Sequence, residues 1–89
     1  MAIVKKLVLD VLKPHHPGGL EFAKAIAEQG KDYRVRFTVE GVDEKTETVM
    51  VVIEGEDIQF DAIEQAIESM GGSLHSVDEV EVLSAGESD

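Results

Sequence analysis

The chain contains no cysteine, tryptophan or asparagine and only two prolines, and aromatic residues make up 4% of it. Without cysteine, disulfides, thiolate nucleophiles, zinc–thiolate centres and iron–sulfur ligation are all excluded. Basic residues are scarce too. Eight Lys and Arg stand against nineteen Asp and Glu, giving a formal charge of −11 and a pI near 4.5. That field repels phosphate backbones and anionic headgroups, so neither nucleic acid nor a membrane surface is expected as a partner. No apolar run approaches the roughly 18 residues of a membrane span, and Met1-Ala2-Ile3-Val4-Lys5-Lys6 lacks the charge-then-apolar order of a secretory leader. A cytoplasmic location is expected.

What is present suffices for one fold. Eighty-nine residues, 43% hydrophobic and 30% charged, can build one core and not two. Ile3 to Leu12 is short, β-branched and bounded by Pro14, which predicts a strand with Leu7, Leu9 and Val11 on one face. Pro14-His15-His16-Pro17-Gly18-Gly19 has the chemistry of a loop. Helical spacing then begins, with Leu20, Ala23, Ile26 and Ala27 on one side, and Gly30 marks the stop. Tyr33, Val35, Phe37 and Val39 alternate with Arg34, Arg36, Thr38 and Glu40, a half-buried strand. A turn over 41–45 leads to a β-rich run from Thr46 to Glu54. Ile58, Ala62, Ile63, Ala66, Ile67 and Met70 predict a second helix, with Asp57 as its cap or an entry two residues later, and Gly71-Gly72 as its end. Leu74 to Leu83 reads as a final strand whose alternation falters at 76–78, as at a bulge.

Strand, helix, strand, strand, helix, strand specifies an α+β ferredoxin-like βαββαβ sandwich. Two right-handed split crossovers give a four-stranded antiparallel sheet of order 4-1-3-2, with both helices on one face. Residues 1–84 form the expected single domain and 85–89 a polar C-terminal tail. This topology gathers the His15/His16 loop, the hairpin tip, the Gly71-Gly72 turn and the start of the last strand at one end, so His75 is expected near His15 and His16.

The sheet face without helices is expected to carry Val8, Leu12, Met50 and Val52, an apolar patch of the kind that marks an interface. The two edge strands differ in sign on that face, with Arg34 and Arg36 on one edge and Glu79 and Glu81 on the other. Such edges favour a head-to-tail homo-oligomer that closes into a ring where the rotation allows.

Leu7-Val8-Leu9-Asp10-Val11-Leu12-Lys13-Pro14-His15 and Met70-Gly71-Gly72-Ser73-Leu74-His75-Ser76-Val77-Asp78-Glu79-Val80 resemble the archaeal domain-of-unknown-function 211 family. The resemblance implies an archaeal source, the same sandwich and assembly into homo-oligomers. It implies no activity, because the family has none assigned.

Among candidate sites, His15, His16 and His75 with Asp10, Asp78 or Glu79 offer imidazole and carboxylate ligands suited to a divalent metal ion. Gly18 and Gly19 expose amides before a helix, and Lys13 and His15 would add positive charge for a small anion, although no P-loop pattern follows. Acidic clusters at Asp43, Glu44 and Glu47 and at Glu54, Glu56 and Asp57 offer oxygen ligands for calcium or magnesium, although neither has the spacing of a calcium loop. No catalytic constellation stands out. Ser69, Ser73 and Ser76 sit in no nucleophile elbow, and the Asn and Cys pair used by two other versions of this fold are missing. The aromatics that RNA-binding versions place on the open face fall here on the buried one. The leading expectation is a non-enzymatic homo-oligomeric binding module for a small anion or divalent cation. A metal-dependent hydrolase and a structural adaptor for another protein are the alternatives.

Overall fold

The computed structural model describes residues 1–84; the expected polar tail, 85–89, lies outside them. The elements follow in the expected order: β1 (Ala2–Pro14), α1 (Gly19–Ala27), β2 (Arg34–Val42), β3 (Thr46–Glu54), α2 (Phe60–Ser69) and β4 (Ser73–Ser84). All pairings are antiparallel and the sheet order is β2-β3-β1-β4, the expected 4-1-3-2 arrangement. This is the ferredoxin-like sandwich.

Pleat parity builds the core. Leu7, Leu9 and Val11 of β1 stand opposite Ile53, Val51 and Val49 of β3, and all six are buried. Phe22 and Ile26 of α1 and Ile58, Ile63 and Ile67 at α2 close over them. Tyr33, Val35 and Phe37 pack at the margin from the β2 side and Leu74 from the β4 side.

Helix α1 is rotated from the face that its spacing predicts. Leu20 is 69% exposed, whereas Phe22 and Ile26, one turn apart, are fully buried. The reason is area. A phenyl ring removes more apolar surface from water than Leu20 or Ala23 would, and Phe22 also meets Phe37 with ring centroids 6.0 Å apart at 59°. Helix α2 enters at the later of the two expected positions. Gln59, not Asp57, is the N-cap residue, and neither helix has a side-chain cap. Asp57 instead accepts a hydrogen bond from the Gln59 side-chain amide at 3.0 Å.

Two glycines are required by geometry. Gly71 ends α2 with φ +86°, a left-handed conformation that a side chain resists, and Gly72 N–H donates to the Ile67 carbonyl at 2.9 Å. At Gly30, a Cβ would stand 2.2 Å from the Tyr33 ring. That ring is held in place because its hydroxyl accepts the Gln59 backbone N–H at 2.7 Å.

The ladder between β1 and β4 shifts register at three places, while that between β1 and β3 does not shift. One shift lies where alternation falters in the sequence, at Asp78, and another at His75, where Asp10 pairs with Ser76 but Val11 pairs with Leu74. The extra residue keeps Leu74 against the core without disturbing the strand that follows. In β2 the strand runs on through Gly41 and Val42, with a single shift after Val39, so the hairpin turn is shorter than expected.

The phase of α1 can be checked by truncation. Phe22→Ala should lower the unfolding free energy by about 3–5 kcal/mol, while Leu20→Ala should stay within about 0.5 kcal/mol of wild type. Urea titration of both variants measures the contrast.

Candidate functional site

Alternation continues past Val11 and turns Lys13 toward the helix side of the sheet, directly across from Glu47 of β3. The Lys13 side chain is fully buried. Its ammonium donates to the Pro14 carbonyl at 2.8 Å and lies 3.4 Å from the Glu47 carboxylate. It also sits 5.7 Å from the centre of the Phe22 ring, within cation–π reach. Three kinds of partner therefore compensate one buried charge.

His15 completes the cluster from the following loop. Its Nδ1 lies 3.2 Å from the other Glu47 oxygen, and its Nε2 lies 3.0 Å from the carbonyls of both Asp43 and Glu44. Each ring nitrogen faces acceptors only, so the doubly protonated ring alone can donate on both sides. The Glu47 hydrogen bond, followed by the carbonyl of Glu44, raises the His15 pKa above its ordinary 6.5. Reciprocally, His15 first and Lys13 second hold Glu47 below its ordinary 4.5. The cluster ties the β1–α1 loop to the β2–β3 hairpin, as the topology predicts for this end.

The anion-site expectation is corrected in its charged members. Lys13 and His15 do not serve the Gly18-Gly19 turn, because both are drawn to Glu47 and to backbone carbonyls. Gly18 is the extended N-cap residue of α1, and Gly19 lies against Phe37, where a Cβ would come within 2.7 Å of the ring.

The histidines share an end of the sheet but not one site. His16 is exposed on the loop, and His75 lines a recess of about 290 Å³ with Asp10, Val11, Leu12 and Thr48. Among the described residues, no three His, Asp or Glu side chains form a group able to hold a metal ion. Asp78 accepts the Ser76 hydroxyl at 2.7 Å, and Glu79 pairs with Lys6 at 3.3 Å. The Ser69 hydroxyl donates to the Ala66 carbonyl at 2.9 Å.

Val8, Leu12, Met50 and Val52 all lie on the uncovered face, as register with the core residues requires. The patch is less open than expected. Val8 is only 8% exposed, Met50 and Val52 are half-buried, and Leu12 alone is exposed. The neighbours of Val8 on that face include Lys6 and Glu79, whose longer side chains stand beside it. The larger apolar exposure lies on β4, at Val77, Val80, Val82 and Leu83. A second recess, about 370 Å³, opens at the other end of the sheet between the Lys5–Glu56 and Arg34–Glu54 ion pairs.

Sequence comparison adds the kinship. The profile of the DUF211 family, described as uncharacterised ArCR, matches residues 5–87. The chain belongs to the DUF211 family. The uncharacterised protein MJ0319 of Methanocaldococcus jannaschii is 43% identical to it over 77 residues, covering 86% of this chain and 79% of the relative. Within this DUF211 protein, Glu47 belongs with Lys13 and His15 rather than with the acidic cluster of Asp43 and Glu44, and Thr48 is a site residue that no motif marks. Glu47 shares the parity of Val49, Val51 and Ile53, which marks it as facing inward beside Lys13.

The pair of shifts fixes a pH window. The His15 contribution is fully present below its unfolded value of 6.5 and is lost as pH rises through the higher folded value. The Glu47 contribution is present above its unfolded 4.5 and is lost as pH falls through the lower folded value. The stability difference between wild type and His15→Ala should therefore be largest between pH 4.5 and 6.5 and shrink on the alkaline side. Thermal melting across pH 4–9 reads it directly; a difference that grows above neutrality would contradict the protonated ring.

Proposed function

We propose that this DUF211 protein is a non-enzymatic binding module that works as a homo-oligomer. The opposite charge of the two sheet edges carries the reading. On the uncovered face β2 presents Arg34 and Arg36, where β4 presents Glu79 and Glu81. Copies meeting head to tail bring unlike edges together, and the assembly closes into a ring when the rotation between copies permits. Exposed ion pairs contribute only about 0–1 kcal/mol each, so apolar burial must supply most of the association energy. Val77, Val80, Val82 and Leu83, between 42% and 53% exposed, offer that surface.

The recess beside His75 is the best-formed candidate for a small ligand. It is lined by Asp10, Thr48 and His75 together with Leu12 and with Val11, whose side chain is buried in the core. Its lining has no Lys or Arg, which favours a divalent cation over an anion. A ligand held more tightly by the assembled form than by separate chains would stabilise the assembly in proportion to that difference.

Sedimentation velocity at several concentrations tests the assembly: a species larger than one chain is expected at high micromolar protein, and a single chain throughout would overturn the reading. Zinc or magnesium should raise the melting temperature of wild type but not of His75→Ala. Equal responses from the two proteins would remove the recess as the cation site.

A further inference from the structure

The register of the sheet gives the contact between copies a specific form. One row of cross-strand neighbours on the uncovered face runs Arg34, Glu54, Lys6, Glu81 across all four strands. The charges alternate along the row, with Arg34 and Glu54 3.8 Å apart. The next row runs Arg36, Val52, Val8, Glu79, positive at one rim and negative at the other. Each row ends where a second copy of the same row could begin.

We infer that β4 of one copy pairs antiparallel with β2 of the next, extending the sheet in the register that sets Arg36 opposite Glu79 and Arg34 opposite Glu81. This inference rests on the homo-oligomer proposed above. It moves the apolar part of the contact from the centre of the open face to the strand edges.

Four features of the chain agree on that register. First, β2 and β4 run in opposite directions within one sheet, because β2, β3, β1 and β4 alternate, so a copy placed alongside in the same orientation presents β2 antiparallel to β4. Second, one and the same alignment satisfies both ion pairs, and it continues the plus–minus alternation of the first row across the joint. Third, that alignment sets Val35 opposite Val80 and Tyr33 opposite Val82 on the helix side. Val80 and Val82 are each 51% exposed there, although the Leu7 and Val4 residues that they pair with face the core. Fourth, β4 carries no extra residue over 79–82, the register shift between Glu81 and Val82 being taken up by Lys5 on the β1 side, and β2 is regular from Arg34 to Val39, so the two outer edges run evenly where they would meet.

The same charges reject the symmetric alternatives. An antiparallel β4–β4 contact in this region would set Glu79 and Glu81 against one another, and a β2–β2 contact would do the same with Arg34 and Arg36. Like charges directly opposite destabilise a strand pair. The joint is therefore heterologous, with one copy's β2 on its neighbour's β4.

A chain without native cysteine allows the register to be read by cross-linking. In the full-length protein, Arg36→Cys with Glu79→Cys places the two thiols opposite one another across the joint, within disulfide reach. Oxidation should give a ladder of covalent multimers on denaturing gels without reductant. Val35→Cys with Glu79→Cys puts its thiols on opposite faces of the sheet and should give no ladder. A wild-type oligomer that yields no ladder from the first pair, an equal ladder from the second, or efficient dimers from Glu79→Cys alone would overturn this register while leaving the homo-oligomer standing. A wild type that sediments as a single chain would overturn both.

A charge exchange supplies an independent test. Arg34→Glu/Arg36→Glu and Glu79→Lys/Glu81→Lys chains, each folded by circular dichroism, should separately sediment as smaller species than wild type. Mixed in equal amounts they should reassemble, because each joint between unlike chains regains opposite signs. Failure of the mixture to assemble counts against the inferred pairing.

Discussion

The structure depends on a mismatch of lengths. Strands β1 and β4 hold 13 and 12 residues, and the helices that cover them hold 9 and 10. At about 3.3 Å per strand residue and about 1.5 Å per helix residue, the sheet reaches roughly 40 Å and each helix roughly 15 Å. The molecule is accordingly long and narrow, 53 × 22 × 17 Å. A helix layer of that size shields only the middle of the core side, where Leu7, Leu9 and Val11 meet Ile53, Val51 and Val49. Beyond it the sheet must end some other way, and it does so differently at its two ends. At the end where Val4 meets Val82, the apolar parity simply continues into solvent.

At the opposite end the parity is kept but the chemistry changes. Lys13 takes the next inward position after Val11, and its apolar stem and its charge both find a use: Phe22 on one side, Glu47 and carbonyl oxygens on the other. A buried ion pair of this kind contributes little net stability beside a well-packed apolar residue, yet removing one partner leaves a charge stranded. What the arrangement supplies is position. Glu47 is shared by Lys13 and His15, and His15 in turn grips the hairpin carbonyls, so the β1–α1 loop and the β2–β3 hairpin are joined through one carboxylate.

Much of this was legible in the sequence, because period-two and helical patterns are properties of local geometry. The element order, the sheet order, the faces of Val8, Leu12, Met50 and Val52, and the irregularity near Asp78 followed from spacing and parity. The misreadings have physical causes. The small and aliphatic residues of α1 suggest one phase, whereas one phenylalanine outweighs them in buried area. Positive charge makes Lys13 look like a loop residue for an anion, although the same alternation that places Leu7, Leu9 and Val11 also turns it inward. The histidines share only an end of the sheet. Topology gives the end, but strand pleat and a bulge decide the face, and they send His15 and His75 to different neighbours.

The irregular β1–β4 ladder has a consequence for solubility. A long outer strand rich in valine, if flat, would be an open template for any extended polypeptide, including unfolded copies of itself. Here the kinks at Asp78 and His75 break the rim into short straight stretches, and carboxylates stand on the one that carries Val80 and Val82. Only a strand that brings positive charge at the matching pitch can lie along it comfortably. In the proposed assembly, the carboxylates that admit the positive edge of a second copy are the same ones that repel a strand carrying their own charge.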